Sequence, residues 1–202
     1  MTPPTGKPLA PEVIRDEIPE KRSLGYVGMV IFLGSWAMMF GSLFFSYAVL
    51  RLRAPVWPPL GVTHLPLALP GLNTLILLAS SATMQLALVG LRRGRLDQFR
   101  GGLLATLLLG IVFVVLQCVV WADLWSVGLR LDSGTYGGLF YLLTVFHILH
   151  VLVGLGLVAW LLAPALRRDA IAPRRVPVTL TSMFWHFVDA VWLVMFLSVY
   201  VL

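Results

Sequence analysis

Long apolar runs separated by short clusters of charge set the frame of this chain. Leu24–Leu50, Leu65–Leu91, Gly101–Ala122 and Thr135–Leu166 contain no charged residue, and Val176–Leu202 contains one, Asp189. A hydrocarbon core about 30 Å thick is crossed by about 20 apolar residues in a helix. In lipid the backbone must satisfy its own hydrogen bonds, which a helix does within one segment. The pattern therefore predicts five spans at about 24–50, 70–91, 101–122, 135–163 and 177–202, the second starting late because Pro66 and Pro70 interrupt its run. The expected fold is an all-α integral membrane protein, a bundle of five transmembrane helices forming one domain over 24–202. Residues 1–23 read as an N-terminal arm on the membrane surface. They hold all three glutamates and five of the 13 prolines, and lack the apolar stretch of a signal peptide.

Composition agrees with this frame and removes the alternatives. Apolar residues make up 59% of the chain and charged residues 12%, about half the charge of an average soluble domain. A soluble globule of 202 residues could not cover that much apolar surface. Cys118 is the single cysteine, so no internal disulfide is possible. The net charge of +6 is placed at helix ends. Lys7, Arg15, Lys21 and Arg22 precede the first span, Arg92, Arg93, Arg95 and Arg100 follow the second, and Arg167, Arg168, Arg174 and Arg175 follow the fourth. These regions lie on one side of a five-span chain and carry 12 of the 15 basic residues; Arg51, Arg53 and Arg130 are on the other. The bias predicts the N-terminus and arm in the cytoplasm and the C-terminus outside. It also argues against nucleic-acid binding, which needs a contiguous basic face. No internal repeat is evident, and no matched pair of broken helices suggests an inverted-repeat transporter.

Polar residues inside spans are costly and mark packing or function. The second span carries Asn73, Thr74, Ser80, Ser81, Thr83 and Gln85, with Thr74, Ser81 and Gln85 spaced to share a face. The first has Gly28, Ser35 and Ser42 at sevens, with Gly34 and Gly41 beside them, a spacing that admits close helix approach. His147 and His150 stand at i, i+3 in the fourth span, and His186 and Asp189 do so in the fifth. The histidines could be metal or haem ligands, proton carriers or interhelical hydrogen-bonders. A metal site wants three or four ligands, and neither an intramembrane glutamate nor a second cysteine is available to complete a shell. An aspartate in hydrocarbon is protonated or paired. The expectation is a structural polar lock of His147, His150, His186 and Asp189 between spans four and five, with no haem or metal on this chain. A small stand-alone channel or transporter is the reading from a different class.

Four stretches resemble subunit III of the haem–copper respiratory oxidases, the cytochrome c oxidase type. They are Asn73-Thr74 with Ser80-Ser81 in the second span, Gln117 in the third, Tyr136-Gly137 and Phe146-His147-Ile148-Leu149-His150-Val151 with Gly154 in the fourth, and Trp185-His186-Phe187-Val188-Asp189 with Trp192 in the fifth. They occur in the family's order. The resemblance covers about Leu24 to Leu202 and looks like the shorter, five-span form of the family. It implies a non-catalytic accessory subunit in a bacterial cytoplasmic membrane. In such complexes subunits I and II hold the haems and coppers, and subunit III packs beside subunit I around a lipid-filled cleft and supports turnover and proton uptake. It assigns Asn73, Thr74, Ser80, Ser81, Gln117, Trp185 and Trp192 to motif packing. Arg167, Arg168, Arg174 and Arg175, at headgroup level after the fourth span, become candidates for phospholipid headgroups. Two positions depart from the family pattern: Trp36 and Val120 stand where membrane glutamates are usual. A quinol oxidase or a nitric oxide reductase with a subunit III-like partner stays open, since other chains bind donor and acceptor.

Overall fold

The computed structural model describes residues 19–55, 67–131, 133–166 and 175–201. Among them are five helices long and apolar enough to cross a membrane: α1 (Pro19–Arg53), α2 (Ala68–Arg92), α3 (Leu96–Ser126), α4 (Gly134–Ala165) and α5 (Arg175–Met195), the last continued by a π-helical stretch, Phe196–Val201. No strand occurs among the described residues. Each helix spans one of the apolar runs. α1 starts earlier than the run, at Pro19, inside the stretch read as the end of the arm. Residues 1–18 lie outside the described residues.

α2 and α3 form the tightest pair, and their turn shows why. Arg95 N–H donates to the Gly90 carbonyl at 2.9 Å and Gly94 N–H to that of Leu91 at 3.2 Å, with Gly94 at φ 69°. This is the Schellman closure, which needs a left-handed residue that glycine adopts without strain. It folds α3 directly back on α2. A Cβ on Gly102 would lie 2.8 Å from that of Ala87, so small residues set the separation. α3 ends by the same device, with Gly128 at φ 86° and Leu129 N–H bonded to the Leu124 carbonyl at 2.9 Å.

α5 lies against both α2 and α4, and these helices with α3 enclose the core, whose largest fully buried side chains include Trp185, Trp192, Phe99, Phe113 and Phe140. α1 is peripheral. It touches α5 and α4, through pairs such as Phe32–Phe184 at 6.3 Å, and most of its surface is uncovered.

Candidate functional site

The sequence motifs converge where α5 meets α2, α3 and α4. Trp185 and Trp192, seven apart, lie on one face of α5 and are 1% and 0% exposed. Trp185 sits between two glycines of facing helices. A Cβ on Gly110 would come within 2.8 Å of its ring, and one on Gly154 within 2.9 Å. Its indole Nε1 donates to Ser80 Oγ at 3.2 Å, and that hydroxyl donates to the Leu77 carbonyl at 2.6 Å. Trp192 Nε1 donates to Thr74 Oγ1 at 3.0 Å, and Thr74 in turn to the Pro70 carbonyl at 2.8 Å. A buried indole N–H needs an acceptor, and membrane depth offers no bulk water as a substitute. The later tryptophan meets the earlier hydroxyl, so α2 and α5 run antiparallel.

A second polar link joins α2 to α3. Asn73 Nδ2 donates to the Phe113 carbonyl at 3.3 Å and to Gln117 Oε1 at 3.4 Å. Both side chains are fully buried. Higher along the same pair, the hydroxyls of Thr83 and Thr106 meet at 2.8 Å. Gln85, grouped with Thr74 and Ser81 by spacing, is exposed; the buried polar stripe of α2 runs instead through Asn73, Thr74 and Ser80.

The histidines and Asp189 do not form one network. His147 is fully buried and packs its ring on Phe113 (centroids 5.9 Å) and Trp192 (5.1 Å), with neither nitrogen hydrogen-bonded to a described residue. His150 Nδ1 donates to the Phe146 carbonyl at 2.5 Å, one turn back, and its ring meets Trp36 of α1 at 3.8 Å, nearly edge-on at 84°, and Phe40 at 5.1 Å. His186 Nδ1 lies 2.5 Å from Ser81 Oγ. Asp189 is buried, and neither carboxyl oxygen has a hydrogen-bond partner among the described residues. The direct lock between spans four and five is thus replaced by separate contacts. The cause is angular: residues three apart on a helix diverge by about 60°, enough to turn His147 toward α3 and α5 and His150 toward α1. Among the described residues no three His, Cys, Asp or Glu side chains gather to hold a metal ion. What this arrangement does chemically is bind helices together with neutral hydrogen bonds and ring packing.

Of the candidate headgroup residues, Arg175 opens α5 and is exposed, whereas Arg167, Arg168 and Arg174 lie outside the described residues.

The family model described as cytochrome c oxidase subunit III matches residues 20–202. The chain belongs to that family. Among its relatives, a probable cytochrome c oxidase subunit 3 of Mycobacterium leprae (strain TN) is 37% identical over 86% of this chain and 86% of the relative. Cytochrome c oxidase subunit 3 of Thermostichus vulcanus is 32% identical over 93% and 92%. That of Rattus norvegicus is 32% identical over 86% of this chain and 67% of its own. As a subunit III, the chain is a non-catalytic accessory member of a cytochrome c oxidase complex and an integral protein of the bacterial inner membrane. The family's motif letters are therefore the letters of the Trp185 and Trp192 contacts. The two departures are visible as packing: Trp36 lies on the His150 ring, and Val120 is buried in the core.

Sequence reading missed Gly110, Thr106 and the Trp36–His150 contact. Gly110 stands in a run of leucine, isoleucine and valine, where a lone glycine carries no distinguishing signal. The spacing of Gly110 and Gly154 to a single tryptophan exists only across three helices.

Proposed function

We propose that this subunit III packs directly beside subunit I of a respiratory haem–copper oxidase that also contains subunit II. In this reading its N-terminus is inside and its C-terminus outside, and it carries no haem or metal of its own. It stabilises the catalytic subunit, holds phospholipid and supports proton uptake during O2 reduction. The observation that carries the reading is the state of α1. Among the described residues, no side chain or foreign backbone lies within 4 Å of where a Cβ on Gly28, Gly34 or Gly41 would stand. Elsewhere on this helix an apolar groove of about 130 Å³ runs between Phe32 and Trp36 of α1, Leu149, His150 and Val153 of α4, and Phe184 of α5. Small residues along a span favour close approach by another helix, and a groove with walls of this chemistry accepts acyl chains.

The test is to delete the chain and purify the remaining oxidase. Its haem spectrum and initial turnover should persist, activity should decay faster during turnover, and less phospholipid should remain bound. An unchanged turnover lifetime together with unchanged lipid content, or a haem carried by this chain alone, would overturn the reading.

A further inference from the structure

Where α1 and α5 begin and α2 ends, a cavity of about 260 Å³ opens between the three helices. Leu88, Leu91 and Val176 form its apolar wall, and Tyr26, Arg92, Arg175 and Thr179 supply its polar groups. Among the described residues no carboxylate lines it. Both arginines are exposed, and neither guanidinium is engaged by a described residue. The Thr179 hydroxyl donates to the Arg175 carbonyl at 2.9 Å, so it is already committed, whereas no described residue engages the Tyr26 hydroxyl. Two guanidinium groups and a phenol around one space are, among the described residues, a set of side-chain donors without a carboxylate to receive them.

We propose that this cavity binds a phosphate-bearing anion at the bilayer surface, namely the phosphodiester headgroup of an anionic phospholipid. Guanidinium matches phosphate oxygens in a bidentate fork. The volume is below the roughly 300–1,000 Å³ of clefts that bury drug-sized ligands, which suits a headgroup whose acyl chains leave along Leu88 and Val176. Inorganic phosphate offers the same chemistry from solution. The site lies away from the α1–α4 groove and shares only Arg175 with the basic group read from the sequence. The inference sharpens the lipid-holding part of the proposed function and rests on it. Total lipid per complex reads that broader role, and the difference between arginine pairs reads this cavity.

The purified oxidase complex is delipidated and titrated with phosphatidylglycerol under native mass spectrometry. Arg92→Gln with Arg175→Gln should weaken binding of one lipid by about 25-fold, at roughly fivefold per arginine. Arg93→Gln with Arg95→Gln removes the same charge from the adjacent loop and should leave that lipid in place. Equal weakening by the two pairs would reduce the effect to surface potential and overturn the site, as would no weakening by either. Phosphatidylcholine should not replace the bound lipid. Displacement of phosphatidylglycerol by inorganic phosphate would support the anion site and overturn the lipid as its occupant. Should the double variant fail to assemble, Tyr26→Phe and the single arginine variants are titrated as intact complexes. A loss of roughly fivefold in each is expected, and unchanged binding in all of them overturns the proposal.

Discussion

Trp185 shows how much one side chain settles. It fills the space left by Gly110 and Gly154 and bonds Ser80, so three helices are fixed to α5 through one ring. Trp185→Ala should cost about 3–5 kcal/mol, the range for an aromatic removed from a core. The thermal midpoint of the purified complex, and the fraction retaining this subunit, should fall together. Trp185→Phe should be milder, because Ser80 still donates to the Leu77 carbonyl and only one neutral hydrogen bond is lost. Asp189 gives the opposite expectation. With no described hydrogen-bond partner for its carboxyl oxygens and Ser81 the polar group beside it, Asp189→Asn removes no ion pair. It should leave both subunit retention and turnover close to those of the native complex. Abolished turnover in a fully assembled Asp189→Asn complex would make the residue a proton carrier. His147→Ala and His150→Ala, in assembled complexes, should leave haem absorbance unchanged, since the partners of these rings are aromatic side chains.

At the level of helices, the apolar runs located all five elements, because hydrophobic length is the quantity the bilayer itself measures. Their ends were less legible. α1 extends ahead of the run to Pro19, since a helix is bounded by backbone geometry and not by hydropathy alone. The π-helical Phe196–Val201 carries no mark in an apolar sequence, and Arg51 reaching the Ser198 carbonyl at 3.4 Å is a contact no spacing rule predicts. Pairing of polar groups was legible only in part. The motif letters found Thr74, Ser80, Trp185 and Trp192, but which hydroxyl meets which indole depends on the antiparallel register of α2 and α5. The expected histidine–aspartate lock failed because spacing along a helix does not say which neighbour each face meets. The glycines separate these cases experimentally. Gly154→Leu, on the buried face, should lower the melting point of the complex, with a cost of about 1–3 kcal/mol for overpacking. Gly34→Leu, with open space around it, should leave the bundle folded and act only on whatever covers α1, read as co-purification with the catalytic subunit.

For the whole molecule, the N-terminal arm and two connections collect most of the basic charge, and the structure draws one residue from each neighbouring helix end, Tyr26, Arg92 and Arg175, around a common cavity. The ends of α1, α2 and α5 therefore share one face of the bundle, as the alternation of five spans requires. Which face of the membrane this is rests on the positive-inside bias. Reporter fusions after Arg95 and after Arg168 should both read cytoplasmic; a periplasmic signal from either reverses the topology. The cavity itself was not legible in the sequence, because Arg92 and Arg175 belong to two separate charge clusters that look like ordinary helix flanks.

The placement of Trp185 on the fifth helix has a consequence for synthesis. α2, α3 and α4 emerge from the ribosome first, and until α5 follows, the face bearing Ser80, Gly110 and Gly154 has no indole to fill it. A nascent chain arrested before α5 leaves Thr74 and Ser80 without the donors that α5 supplies, a polar blemish on a lipid-exposed surface. Completion of the bundle is thereby tied to translation through α5, and an incomplete chain is physically distinguishable from a finished one before it reaches its partner.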